Sequence, residues 1–73
     1  MIALQINGKR VELDEPTALH AYLDRIGVDF RAVAVEHNGR IIERADYDRV
    51  TFHEGDTVEI VRMVGGGALS SDR

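Results

Sequence analysis

The sequence predicts an α+β domain, a mixed sheet of four to five strands packed on one helix. Three observations carry this expectation. Two Asn-Gly pairs, Asn7-Gly8 and Asn38-Gly39, each stand between stretches of strand character. One amphipathic stretch lies between the two hairpins. A run rich in Val and Ile closes the regular part of the chain and suits a central strand.

The elements follow in order. Ile2, Leu4 and Ile6 alternate with Ala3 and Gln5, the period of a half-buried strand. Asn7-Gly8 turns the chain, because both residues tolerate positive φ. Val11 and Leu13 then alternate with Arg10 and Glu12, which completes a first hairpin over residues 1–13. Pro16 interrupts the pattern, since it cannot donate to a ladder. Thr17 is a good N-cap, and Leu19, Tyr22, Leu23 and Ile26 share one helical face, so a helix is expected over residues 17–26. Gly27 stands where a left-handed C-terminal cap belongs.

The apolar run 32–36 reads as a buried strand, Asn38-Gly39 as its turn, and residues 40–42 as a short return strand. Residues 43–49 are polar around Tyr47 and read as a helical turn or loop. Residues 50–52 form a short extended piece, Gly55-Asp56 a turn, and residues 57–64 the last strand. Its alternation puts Val58, Ile60 and Arg62 on one face and Glu59, Val61 and Met63 on the other. Two hairpins linked by one helix, with the last strand inserted centrally, describe a β-grasp; the order alone also fits another small α+β roll. The expected division is a β-grasp domain over residues 1–64 and a flexible glycine-rich tail over residues 65–73.

Length and composition narrow the function classes. Seventy-three residues make one small domain with little room for a pocket of converging catalytic groups, so an enzyme is not expected. Nine basic residues against 13 acidic ones give a net charge of −4, and the arginines are scattered, which argues against nucleic acid. The absence of Cys excludes disulfides, thiolate metal sites and a thiol nucleophile. No apolar run approaches the roughly 20 residues of a membrane span, and no secretory signal opens the chain; a cytoplasmic protein is expected. His20, His37 and His53 lie on three different elements without metal-ligand spacing, so no metal is expected. Asp46 and Asp48 beside Tyr47 read as polar loop residues, and Ser70 and Ser71 have no base nearby in sequence.

The C-terminus carries the most information. Gly65-Gly66-Gly67 reads two ways. One is a frayed end, which composition alone favours. The other is chemical: a backbone without Cβ atoms threads a narrow channel and delivers a terminal carboxylate into another protein's active site. A phosphate-binding loop is a poor fit, because no Lys follows the glycines.

Three segments, in register, favour the second. Residues 33–44, VAVEHNGRIIER, resemble the V-A-V-E-x-N-G-x-I-V-x-R segment of the sulfur carrier proteins of thiamine biosynthesis, the ThiS family of ubiquitin-like β-grasp proteins. Residues 54–62, EGDTVEIVR, resemble that family's E-G-D-x-V-E-I-V segment, and Val64 to Gly67 its glycine terminus. The resemblance covers residues 1–67. It implies that an E1-like enzyme of the ThiF type adenylates the last glycine, that a sulfurtransferase converts it to a thiocarboxylate, and that the sulfur passes to a thiazole synthase of the ThiG type. ATP and Mg are then used by the adenylating enzyme, and the carrier itself binds no cofactor. The acceptor position matches Gly67, with Gly66 as runner-up. Docking residues are expected around the last strand and tail: Gly65, Val64, Met63, Arg62, Val61 and Phe52. Of these, Val61, Met63 and Phe52 form an exposed apolar patch or simply belong to the core, and Arg62 pairs with an acidic groove on the partner or is a solvated strand charge.

One departure stands out. Family members usually end at the glycines, whereas Ala68 to Arg73 continue here, so Gly67 has no free carboxylate while they remain. A tail-trimming peptidase, residues foreign to the natural chain, or a diverged copy would each account for this. Two other readings share the fold: a molybdopterin-synthase small subunit or ubiquitin-like protein modifier, and a non-catalytic β-grasp interaction module.

Overall fold

The computed structural model describes residues 1–63. Strands β1 (Ile2–Ile6) and β2 (Lys9–Leu13) form the first hairpin. A two-residue strand β3 (Thr17–Ala18) leads into helix α1 (Leu19–Arg25). A 3-10 turn over Phe30–Ala32 precedes β4 (Val33–His37), which turns into β5 (Arg40–Ile41). A second 3-10 turn, Arg44–Arg49, is followed by β6 (Thr51–Phe52) and β7 (Thr57–Arg62). The main sheet has the order β2-β1-β7-β4-β5; β3 and β6 form a separate antiparallel pair. The mixed sheet packed on one helix is the expected β-grasp arrangement.

The last strand is central, as its β-branched composition predicts. β7 runs parallel to β1, with Gln5 opposite Thr57 and Ile6 opposite Val58, and antiparallel to β4 from Val33–Arg62 to His37–Val58. Both hairpin asparagines adopt positive φ, 54° at Asn7 and 52° at Asn38, as the turns require. They also do something the sequence does not announce: each clasps β7. Asn7 Oδ1 accepts from the Ile60 N–H at 2.7 Å, and its Nδ2 donates to the Ile60 carbonyl at 3.2 Å. At the start of the strand, Asn38 Oδ1 accepts from the Thr57 N–H at 2.9 Å, and the Asn38 N–H donates to the Thr57 carbonyl at 2.7 Å.

The core lies between sheet and helix. Ile2, Leu4 and Ile6 of β1 face Leu19, Tyr22 and Leu23 of α1, with Val33, Val35 and Val58 from the centre of the sheet. Burying this apolar surface is the main stabilising term, at about 25 cal/mol per Å². The helix closes with a Schellman motif. The Val28 N–H donates to the Leu23 carbonyl at 2.9 Å, the Gly27 N–H donates to the Asp24 carbonyl at 3.1 Å, and Gly27 holds φ 76°.

Two expectations are corrected here. Thr17 is not the helix N-cap. It is buried in β3 opposite Phe52, and its hydroxyl donates to the Glu15 carbonyl at 2.8 Å. The helix starts at Leu19 with Ala18 as a cap without side-chain bonds, and the Leu19 N–H is satisfied instead by the Val50 carbonyl at 2.8 Å. A backbone acceptor from a distant segment thus replaces the local hydroxyl. Phe52, named among the expected docking residues and read as either exposed patch or core, is core: it is fully buried. Its strand β6 leaves the main sheet to pair with β3, which draws the ring under the helix, 5.6 Å from Tyr22.

Candidate functional site

The site expected from the sequence is the C-terminal end of β7, where the chain leaves the sheet. Val64, Gly65, Gly66 and Gly67 lie outside the described residues, as does the expected 64/65 domain boundary. The remaining candidates are placed, and strand alternation separates them. Arg62 lies opposite Val33 on the helix side of the sheet. There it lines a depression of about 310 Å³ with Ile6, Tyr22, Ile26 and Ile60. Val61, half exposed, points to the other face. Met63 is partly buried, and its N–H donates to the Ala32 carbonyl at 2.8 Å. Arg62 therefore does not share a surface with Val61.

What Val61 does share is a patch that the sequence reading missed. Register places Ala34 opposite Val61 and Ile41 opposite Glu36. Ala34, Glu36, Ile41, Glu59 and Val61 line one shallow depression of about 160 Å³ on the face away from the helix. Ile41 is 73% exposed and Val61 50% exposed, among the most exposed large apolar side chains described. A neighbouring depression of about 270 Å³ shares Ala34 and Ile41 and adds Met63, Ile42 and Tyr47. The patch therefore runs from β5 across β4 and β7 to the exit of the chain. The signal was present in the alternation of each strand, but only the β4–β7 pairing brings the strands together.

The Glu54-Gly55-Asp56 stretch is a structural clasp at the far end of β7. The Glu54 carboxylate accepts from the Ala3 N–H at 2.9 Å, and the Gly55 N–H donates to the Ala3 carbonyl at 2.8 Å. Gly55 holds φ 83°, which only glycine adopts without strain. Asp56 Oδ2 lies 2.8 Å from His37 Nε2 and accepts from the His53 N–H at 2.9 Å, and its Oδ1 accepts from Asn38 Nδ2 at 3.2 Å. Partial burial opposes ionisation of Asp56. The bonds from His37, His53 and Asn38 outweigh it and hold the carboxyl below its ordinary value.

The other polar candidates fall into structural places. Tyr47 is buried and its hydroxyl donates to the Val33 carbonyl at 3.1 Å, which satisfies the start of β4 where β5 does not pair with it. Asp46 pairs with Arg49 at 3.6 Å within its 3-10 turn. His20 packs on Phe30 with ring centres 5.1 Å apart. Among the described residues no group of three or more His, Asp or Glu side chains is arranged to hold a metal ion, and no helix is long and apolar enough to cross a membrane.

A mixed five-stranded sheet gripping one helix, with the chain leaving from its central strand, defines a ubiquitin-like β-grasp domain. The model of the ThiS family matches residues 4–67, and the chain belongs to that family. It is 37% identical over 65 residues to the sulfur carrier protein ThiS of Bacillus subtilis, covering 88% of this chain and 98% of that one. It is 39% identical over 69 residues to a thiazole synthase of Paramagnetospirillum magneticum, covering 94% of this chain but 21% of that protein. The chain thus spans about a fifth of the length of that relative. The crystal structure of a thiamine biosynthesis protein (ThiS) from Geobacter metallireducens superposes with a TM-score of 0.77 at 32% identity, over 89% of this chain and 99% of that one.

Proposed function

We propose that this domain is a sulfur carrier that supplies thiazole formation in thiamine biosynthesis. The observation that carries the reading is the family match, which extends through the third glycine, Gly67. Once Gly67 is terminal, its carboxylate attacks the α-phosphorus of ATP on an E1-like adenylating enzyme, and pyrophosphate leaves. Sulfur released from a sulfurtransferase as hydrosulfide, at the expense of a thiol reductant, then attacks the acyl carbon, displaces AMP and leaves a thiocarboxylate. Adenylation is needed because a carboxylate has no leaving group of its own. ATP and Mg belong to the adenylating enzyme.

Thiazole synthase is the proposed sulfur acceptor. The likeness of nearly the whole chain to part of a thiazole synthase supports it. Residues 68–73 must be released before Gly67 can react, and a peptidase is the proposed agent. Val61 and Met63, on the patch that reaches the chain exit, are proposed to dock the adenylating enzyme, and Arg62 to contact it from the helix side.

The test is the intact mass of the protein taken from its own cells. Chains ending at Gly67, part of them heavier by the sulfur-for-oxygen difference, are expected. Chains that always retain Ala68 to Arg73 and never gain sulfur would refute the reading.

A further inference from the structure

The patch on the free sheet face has a charge pattern that selects its occupant. Glu36 of β4 stands directly opposite Glu59 of β7. Both line the same shallow apolar depression with Ala34, Ile41 and Val61. Like charges directly opposed across a sheet are destabilising. Among the described residues the ion pairs are Arg10–Glu12, Arg31–Asp29, His37–Asp56 and Arg49–Asp46, and none of them involves either glutamate. Among the described residues, two carboxylates outside any ion pair therefore lie next to the exposed Ile41 and Val61.

That pattern excludes three occupants. A second copy docked through this same face would set two Glu36–Glu59 pairs against each other, in a chain already at net charge −4. Nucleic acid and an anionic membrane would bring phosphates against carboxylates. What remains is a protein surface that offers an apolar side chain to the depression and an arginine or lysine to the two carboxylates. Arginine suits the position best, because its planar fork can bridge two carboxylates and its stem covers apolar surface.

We propose that Glu36 and Glu59, with Ile41 and Val61, form the docking surface for a basic patch on the adenylating enzyme, and that the opposed pair is relieved when that enzyme binds. This rests on the carrier reading and adds the charge of the partner and the residues that select it.

The experiment uses the full chain, its Glu36→Gln and Glu59→Gln variants, and the double variant. The free protein is unfolded in denaturant at neutral pH. Each single variant is expected to have a higher midpoint than the wild type; a midpoint unchanged or lowered in both overturns the proposal. Binding to the purified adenylating enzyme from the same cells is then measured by calorimetry at low and high salt. The double variant is expected to bind roughly tenfold more weakly at low salt, with the difference shrinking at high salt. Wild-type and double-variant affinities that agree at low salt overturn the proposal and leave the carrier reading standing. A wild type with no measurable affinity for that enzyme overturns it as well, whatever the mass measurement says of sulfur loading.

Discussion

Asn7 and Asn38 hold the same strand at two points, the first through the N–H and carbonyl of Ile60 in its middle and the second through the N–H and carbonyl of Thr57 at its start. β7 is thereby fixed between the two hairpins beyond its ordinary ladder. Each asparagine serves twice, as the left-handed residue of its turn and as a backbone mimic toward β7.

The two roles of Asn7 separate by mutation. Asn7→Gly keeps the turn and loses the side-chain clasp, so a loss of roughly 0.5–1.5 kcal/mol per hydrogen bond is expected. Asn7→Ala adds the penalty of a left-handed non-glycine residue, of roughly 1–2 kcal/mol. Chemical denaturation of both variants measures the difference; equal losses would show that the turn geometry contributes little.

Phe52→Ala is expected to destabilise the domain by about 3–5 kcal/mol, the usual range for a fully buried aromatic ring. That is a large part of the total stability of a small domain. Val61→Ala, at a half-exposed position, is expected to stay within about 0.5 kcal/mol. Thermal melts of the two variants side by side check the contrast.

The Asp56 clasp gives an acid limb. Its carboxyl is held below the ordinary value near 3.8 in the folded protein, so folding is favoured while the carboxylate is ionised. This stability is fully present above the unfolded pKa and is lost as pH falls through the folded one. Denaturation midpoints are expected to fall below about pH 4 in the wild type. The Asp56→Asn variant should start lower at neutral pH and show a shallower acid decline. An acid decline equally steep in both would assign it to other carboxyls.

Tyr47 gives an alkaline limb with the opposite sign. Burial raises its hydroxyl above 10.0, against the opposing pull of Arg44 and the Val35 backbone. The neutral form is favoured in the fold, so this contribution is complete below the unfolded pKa and is lost as pH rises through the folded one. Tyr47→Phe is expected to cost about 1–3 kcal/mol at neutral pH, because the Val33 carbonyl loses its partner. It should also remove part of the loss of stability above about pH 10. Midpoints of wild type and variant across that range provide the check.

The chemistry proposed for the tail has its own readout. In a chain ending at Gly67, deletion of Gly66 and Gly67 is expected to abolish pyrophosphate exchange by the adenylating enzyme. Gly67→Ala is expected to reduce it strongly, since a narrow channel has no place for a Cβ. Exchange that persists in the deletion would place the reactive carboxylate elsewhere.

The local elements were legible in the sequence. Alternation marked β1, β2 and β7, the Asn-Gly pairs marked both hairpin turns, and the spacing of Leu19, Tyr22 and Leu23 marked the inward face of the helix. These features are set by φ preferences and by side-chain period, which act over a few residues. The central place of β7 was also legible, through its β-branched run. Tertiary structure alone decided the rest. Thr17 became a strand residue because the Val50 carbonyl, from a distant segment, reached the first helical amide. Phe52 went into the core because β6 found its partner in β3 and not in the main sheet. Ile41 joined Val61 on one face through the pairing of β4 with β5 and β7. Each of these outcomes depends on which backbone groups meet across a long loop, and no local pattern encodes that choice.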